Sequence, residues 1–142
     1  MATVGELTKN REIYSIQGNN TVQEAASYMS HRNVGSLPVL RGGKLVGVLS
    51  ERDIVRRVLM AGRDWKTTRV DEIMSDDPLT VSSQEDVEHC MLLMKQHGFR
   101  HLPVVDNGIL VGFISMRDVL LHEVDEKELE MRMMRAYMSN GQ

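Results

Sequence analysis

A displacement of 65 positions lays one half of this chain over the other without a gap. Leu37-Pro38-Val39 recurs as Leu102-Pro103-Val104, Val46-Gly47 as Val111-Gly112, and Arg52-Asp53 as Arg117-Asp118. Val22 meets Val87, Met29 meets Met94 and Ser50 meets Ser115 in the same register. A repeat of this kind constrains the fold more than any local propensity, because both copies must adopt the same supersecondary unit. At 142 residues the chain has the length of one compact domain, so the two copies are expected to share it.

Each copy has the same grammar. A short β-branched strand (Tyr14 to Ile16; Leu79 to Val81) leads into a polar cluster, where Asn20 or Thr21 can cap a helix in the first copy. Val22, Ala25, Ala26 and Met29 then recur at helical spacing, as do Val87, Cys90, Met91 and Met94. These Met and Cys side chains read as core rather than as metal or redox ligands. A strand follows (Leu37 to Leu40; Leu102 to Val105), then the dipeptides Gly42-Gly43 and Asn107-Gly108, which favour two-residue hairpins. The returning strands, Leu45 to Leu49 and Ile109 to Ile114, are almost wholly apolar and predict burial on both faces. Another helix closes each copy, giving β-α-β-β-α twice.

The boundaries that result are a first motif with its N-terminal lead-in over residues 1–60, a linker over 61–69, a second motif over 70–124 and a C-terminal helix or tail over 125–142. Trp65, the sole tryptophan, is expected to plug the seam between the copies. Leu129, Met133, Met134, Tyr137 and Met138 form a broad apolar stripe, expected to pack on the domain or a second copy. Glu123 and Lys127, and Glu128 and Arg132, stand at i, i+4.

The charge balance, 17 basic against 20 acidic residues, gives no chain-wide attraction to nucleic acid or anionic membrane. The lone Cys90 fits a reducing compartment, and no segment approaches the roughly 18 apolar residues of a spanning helix. A cytoplasmic protein is the expectation.

The chemistry-bearing pattern is Gly-h-h-Ser-x-x-Asp-h, with h apolar, read at Gly47 to Ile54 and Gly112 to Val119. A strand ends at a serine that caps the next helix, whose unpaired backbone N–H groups suit a phosphate. The aspartate three residues on can accept hydrogen bonds from the two vicinal hydroxyls of a ribose. Equally, Ser-x-x-Asp at a helix start is the pattern of a capping box with no ligand.

Leu37-Pro38-Val39 with Leu45-Val46-Gly47-Val48-Leu49-Ser50-Glu51-Arg52-Asp53-Ile54, and the matching Leu102-Pro103-Val104 with Leu110 to Val119, resemble CBS motifs; their tandem arrangement resembles a Bateman module. Val70-Asp71-Glu72-Ile73-Met74-Ser75 resembles the family's lead-in segment. The resemblance covers nearly the whole chain. It implies an α/β fold in which two motifs pack with pseudo-twofold symmetry around two clefts, and a flat homodimer. It also implies an adenine nucleotide (AMP, ADP, ATP or NAD) as ligand, with serine near phosphate and aspartate on ribose. The contact set it implies is Ser50, Arg52, Asp53, Thr80, Arg100, His101, Pro103, Ser115, Arg117 and Asp118.

The copies differ just before Leu-Pro-Val, where Val34-Gly35-Ser36 faces Phe99-Arg100-His101. Arg100 supplies a permanent cation and His101 a titratable donor near where the resemblance implies phosphates, so the second copy resembles the better-equipped phosphate site, with a solvated surface position as the alternative for Arg100. The first copy has space without charge there, for which Arg52 and Arg56 or Arg57 could compensate. His97 and His101 do not share a helical face across Gly98, so no metal site is expected there. No nucleophile-base constellation or Gly-Lys-Ser/Thr cradle is visible, so no catalysis is expected; what the resemblance implies is a ligand sensor for a separate, unidentified regulated protein. The rival readings are a ligand-free interaction dimer and a nucleic-acid binder using Arg52, Arg56, Arg57, Arg63 and Lys66.

Overall fold

The computed structural model describes residues 2–140. A short helix α1 (Val4–Thr8) precedes β1 (Ile16–Gln17), α2 (Val22–Arg32), β2 (Ser36–Arg41), β3 (Lys44–Ser50) and α3 (Glu51–Ile54), which runs on into a π-helical turn over Val55–Leu59. After the connector come α4 (Val70–Ile73), β4 (Ser75–Asp76), α5 (Val87–His97), β5 (His101–Asp106), β6 (Ile109–Ser115) and α6 (Met116–Asn140).

The hairpins form as their turn residues require. Gly42 and Gly43 have φ of 58° and 79°, and Asn107 and Gly108 have 51° and 79°, the left-handed pair that matches a two-residue turn to strand twist. β2 and β3 pair antiparallel with an irregularity between Val39 and Leu40, and β5 and β6 repeat it between Val104 and Val105. Ile16 bridges Val39 in parallel as Val81 bridges Val104, so each helix crosses from one strand to its parallel neighbour. In the second half that first strand shrinks to the single bridge at Val81, and in the first it is Ile16–Gln17 rather than Tyr14 to Ile16.

Helix α2 is capped by Thr21, whose side chain accepts from the Glu24 N–H while Glu24 accepts from the Thr21 N–H. It buries Val22, Ala25 and Met29; α5 buries Val87, Cys90 and Met94 at the same repeat positions. Ala26, expected on the inner face, is exposed. Asn33 and Gly98, again 65 apart, end the two helices in the left-handed conformation. The second core also encloses the Cys90 thiol, where burial pushes it up to about 11, with Glu85 adding to the rise, which leaves it an inert hydrophobe at neutral pH.

The two cores are not built from contiguous halves of the chain. Val4 and Leu7 of α1 pack into the core of the second copy, while Val70, Ile73 and Met74 pack into that of the first. Thr3 bridges Asp86, and Arg69 bridges Thr21. Each lead-in therefore crosses to the other repeat, a reciprocal exchange that only a twofold arrangement closes. The Val-Gly repeat permits it. At Gly47 a Cβ would sit 2.7 Å from the Ser75 carbonyl oxygen, and at Gly112 it would sit 3.0 Å from Thr8 Oγ1. Arg57 Nη1 then ties the second lead-in down by donating to the carbonyls of Ile73 and Met74, each at 3.0 Å.

Two expectations are corrected and a third, the partner of the C-terminal stripe, is narrowed to one of its two alternatives. The returning strands are buried on one face only: Gly47, Leu49, Gly112 and Ile114 are covered, whereas the alternating positions are half-buried and Val111 and Ile109 are exposed. On that outer face Val48 and Phe113 border the clefts. Trp65 does not plug the seam; it lies 41% exposed on the connector with Lys66 over its ring. The C-terminal stripe does not pack on its own domain, since α6 is one continuous helix whose residues 125–139 are all exposed. On this helix the structure pairs His122 with Glu126 at 3.7 Å. Among the described residues, no helix is long and apolar enough to cross a membrane.

Candidate functional site

β3 and β6 lie against each other at the centre, and two clefts open on either side of that seam. The first, of about 470 Å³, is lined by Ser50, Glu51 and Arg52 at the end of β3, by residues 75–79, and by Arg100, His101, Leu102 and Pro103. The second, of about 930 Å³, is lined by Ser115, Arg117 and Asp118 where β6 enters α6. Its other walls are Thr8 and Arg11 to Tyr14 from the exchanged lead-in, Arg100 and His101, and the apolar Leu120, Leu121 and Val124. Gly35, Ser36, Arg100 and His101 border both clefts. Both volumes fall in the range that holds a nucleotide-sized ligand.

The Ser-x-x-Asp corners are capping boxes in both copies. Ser50 N–H donates to Asp53 Oδ2 at 2.9 Å, and Asp53 N–H donates to Ser50 Oγ at 3.2 Å. Ser115 and Asp118 repeat this at 2.9 and 3.1 Å. The corner fixes each aspartate by its backbone neighbour while leaving its second oxygen outside the box. The copies then diverge. Asp53 is buried, with Arg57 Nε 4.0 Å from its other oxygen, Oδ1. Asp118 is half-buried on the wall of the larger cleft, with Arg11 Nη1 3.0 Å from Oδ2. Burial alone raises the Asp118 carboxyl, but Arg11 and the Ser115 hydrogen bonds outweigh it and hold it below the usual aspartate range.

His101 stacks on Phe113, with ring centroids 5.1 Å apart and planes 13° from parallel. Burial pushes its pKa below the ordinary histidine value; Asp118 opposes that shift and Arg100 adds to it. The ring is thus neutral at pH 7 and able to donate or accept one hydrogen bond at the seam.

Of the ten residues expected to contact ligand, eight line the clefts: Ser50, Arg52, Arg100, His101 and Pro103 the first, and Arg100, His101, Ser115, Arg117 and Asp118 the second. Asp53 lies buried behind Ser50, and Thr80 is exposed one residue beyond the wall formed by 75–79. Arg57 is committed to lead-in carbonyls and is not a cleft cation, and neither Arg56 nor Arg57 lines the first cleft. Of the basic residues considered for nucleic acid, Arg63 pairs with Glu72 at 2.9 Å, and Lys66 covers Trp65. His97 stacks on Phe99, and among the described residues no three His, Cys, Asp or Glu side chains converge as metal ligands.

The N-terminal lead-in as a cleft wall was missed in the sequence. Its signal is present: Val4-Gly5-Glu6-Leu7 matches Val70-Asp71-Glu72-Ile73, but at a displacement of 66 rather than 65. A search at constant offset passes over it.

Two β-α-β-β-α repeats with exchanged lead-ins and a pair of clefts at their seam define a tandem-motif α/β module. The chain belongs to the CBS-domain family, whose profile matches residues 4–60 and 70–125. It is 37% identical over 120 residues to the CBS domain-containing protein YhcV of Bacillus subtilis, covering 84% of this chain and 85% of that one. A solved CBS-domain protein from Burkholderia ambifaria superimposes with a TM-score of 0.82 at 35% identity, over 87% of this chain and 95% of that one. CBSX2 from Arabidopsis thaliana, solved in complex with AMP, superimposes with a TM-score of 0.76 at 25% identity, over 89% and 99%.

Proposed function

We propose that this CBS pair is a sensor that takes an adenine nucleotide into its clefts and passes the change in motif arrangement to a separate protein. The observation that carries the reading is the second cleft. There a carboxylate fixed by a capping box, the N-terminus of the long helix α6, Arg117, and the Arg100-His101 pair converge on one cavity of nucleotide size. The binding of AMP by CBSX2 supports adenine nucleotide as the class. A nucleotide that touches both motifs at the seam binds one relative arrangement better than another, and a coupling of about 1 to 3 kcal/mol suffices to signal. At least one of AMP, ADP, ATP and NAD is therefore expected to raise the melting temperature in a concentration-dependent way, as read by thermal shift. A melting temperature indifferent to all four would favour a ligand-free interaction dimer.

A homodimer fits the surface. Val55 and Leu59 on the π-helical turn, and Leu120 and Val124 at the same repeat positions on α6, are each 48% exposed or more. Four exposed apolar side chains related by the internal repeat are what the proposed second copy would cover. Sedimentation velocity of wild type is expected to give the mass of two chains, and Leu59→Glu with Val124→Glu the mass of one. A monomeric wild type would remove the dimer from the account.

A further inference from the structure

The exchange of lead-ins gives the two clefts opposite charge. The second cleft receives Arg11 and Glu12 from the N-terminal lead-in, beside Arg100, Arg117 and Asp118. The corresponding stretch of the other lead-in gives the first cleft Asp76 and Asp77, beside Glu51, Arg52 and Arg100. Counting these side chains, cations outnumber carboxylates by three to two in the second cleft and are outnumbered two to three in the first.

Arg11 also occupies the carboxylate that a ribose would use. Asp118 Oδ2 already accepts from Ser115 N–H at 2.9 Å, and Arg11 Nη1 stands 3.0 Å from the same atom. A carboxylate oxygen offers about two acceptor directions, so with both filled only Oδ1 remains open. A vicinal diol that grips both oxygens has to displace the guanidinium. The Arg11 side chain is 45% exposed and hangs from the stretch between α1 and β1, with no other ion-pair partner among the described residues. Once displaced it stays on the cleft wall, where a phosphate can take it by a two-pronged charge-assisted contact.

We propose that Arg11 is the residue that makes the second cleft selective for phosphorylated nucleosides: it blocks the ribose carboxylate until a ligand phosphate draws it away. A neutral nucleoside has to break the Arg11–Asp118 pair and returns nothing to the guanidinium. A nucleotide breaks the same pair and replaces it with an Arg–phosphate contact. The first cleft has acidic residues where Arg11 stands and lacks this discrimination. The inference rests on the nucleotide reading of the second cleft.

The test is calorimetric titration of wild type, Arg11→Gln and Arg11→Lys with AMP and with adenosine at fixed salt. Arg11→Gln is expected to weaken AMP about tenfold, the loss of one hydrogen bond to a charged group. It is expected to tighten adenosine by up to about fivefold, the release of a half-exposed ion pair. Arg11→Lys, which keeps the charge but not the fork, falls between. Equal changes for both ligands, or none, with wild-type AMP binding intact and weakened tenfold or more in Asp118→Asn, overturn the role of Arg11 alone. Absence of AMP binding in wild type overturns the nucleotide reading and this inference with it.

Discussion

Gly47→Ala is expected to destabilise the protein by about 3 kcal/mol, the upper end of what an added methyl costs in a packed interior. The new Cβ would stand 2.5 Å from Met74 Sδ and 2.7 Å from the Ser75 carbonyl oxygen. The sulfur sits on a flexible side chain, but the carbonyl belongs to a backbone that is held in place. Asp76 and Ser75 pair with Gly47 and Val48 in the sheet, and Arg57 grips the carbonyls just before them. Relief therefore means moving the lead-in away from the first repeat, together with residues 75–79 that wall the first cleft. Gly112→Ala is the built-in comparison. Its Cβ would meet Thr8 Oγ1 at 3.0 Å and Thr8 Cβ at 3.2 Å, both side-chain atoms on a short helix, and a cost of about 1 kcal/mol is expected. Urea denaturation of both variants checks the difference; equal losses would mean that the two lead-ins are held with equal rigidity, contrary to this account.

The second large effect separates the two roles that Ser-x-x-Asp can play. Asp118→Asn keeps a carbonyl oxygen for the Ser115 N–H and keeps the backbone N–H that donates to Ser115 Oγ, so the capping box survives. It loses a negative charge near the N-terminus of α6 and the ion pair with Arg11, worth together about 1 kcal/mol of stability. For a ribose the change is larger. One carboxylate oxygen becomes an NH₂ donor, which opposes a hydroxyl donor where an acceptor stood. Loss of a hydrogen bond to a charged group weakens binding by about tenfold to a hundredfold. If capping were the whole role of Asp118, the variant would bind AMP as wild type does while melting slightly earlier.

Much of the fold was legible because its determinants are local and repeated. Thr21, the apolar positions of α2 and α5, and the Gly42-Gly43 and Asn107-Gly108 turns each act within a few residues, and a second copy of each confirmed the pattern. Ser50 and Ser115 were legible as caps for the same reason. What escaped was non-local. Val4 and Leu7 fill the core of a repeat that begins more than sixty residues later, and nothing in Thr3 to Thr8 announces which repeat it joins. Arg11 was invisible as a cleft residue because its partner, Asp118, is distant in sequence. Trp65 was misplaced by the general habit of burying tryptophan; here the connector turns outward and a lysine covers the ring instead. The exposed stripe on α6 was legible as amphipathic, but a hydrophobic face does not say whether its partner lies in the same chain.

Calorimetric titration of AMP into wild type and Asp118→Asn at fixed salt tests whether the second cleft binds an adenine nucleotide through Asp118. Saturable heat in wild type, weakened tenfold or more in a variant that still unfolds cooperatively, is the predicted result. Absence of heat in wild type, or equal affinity in both proteins, would contradict it.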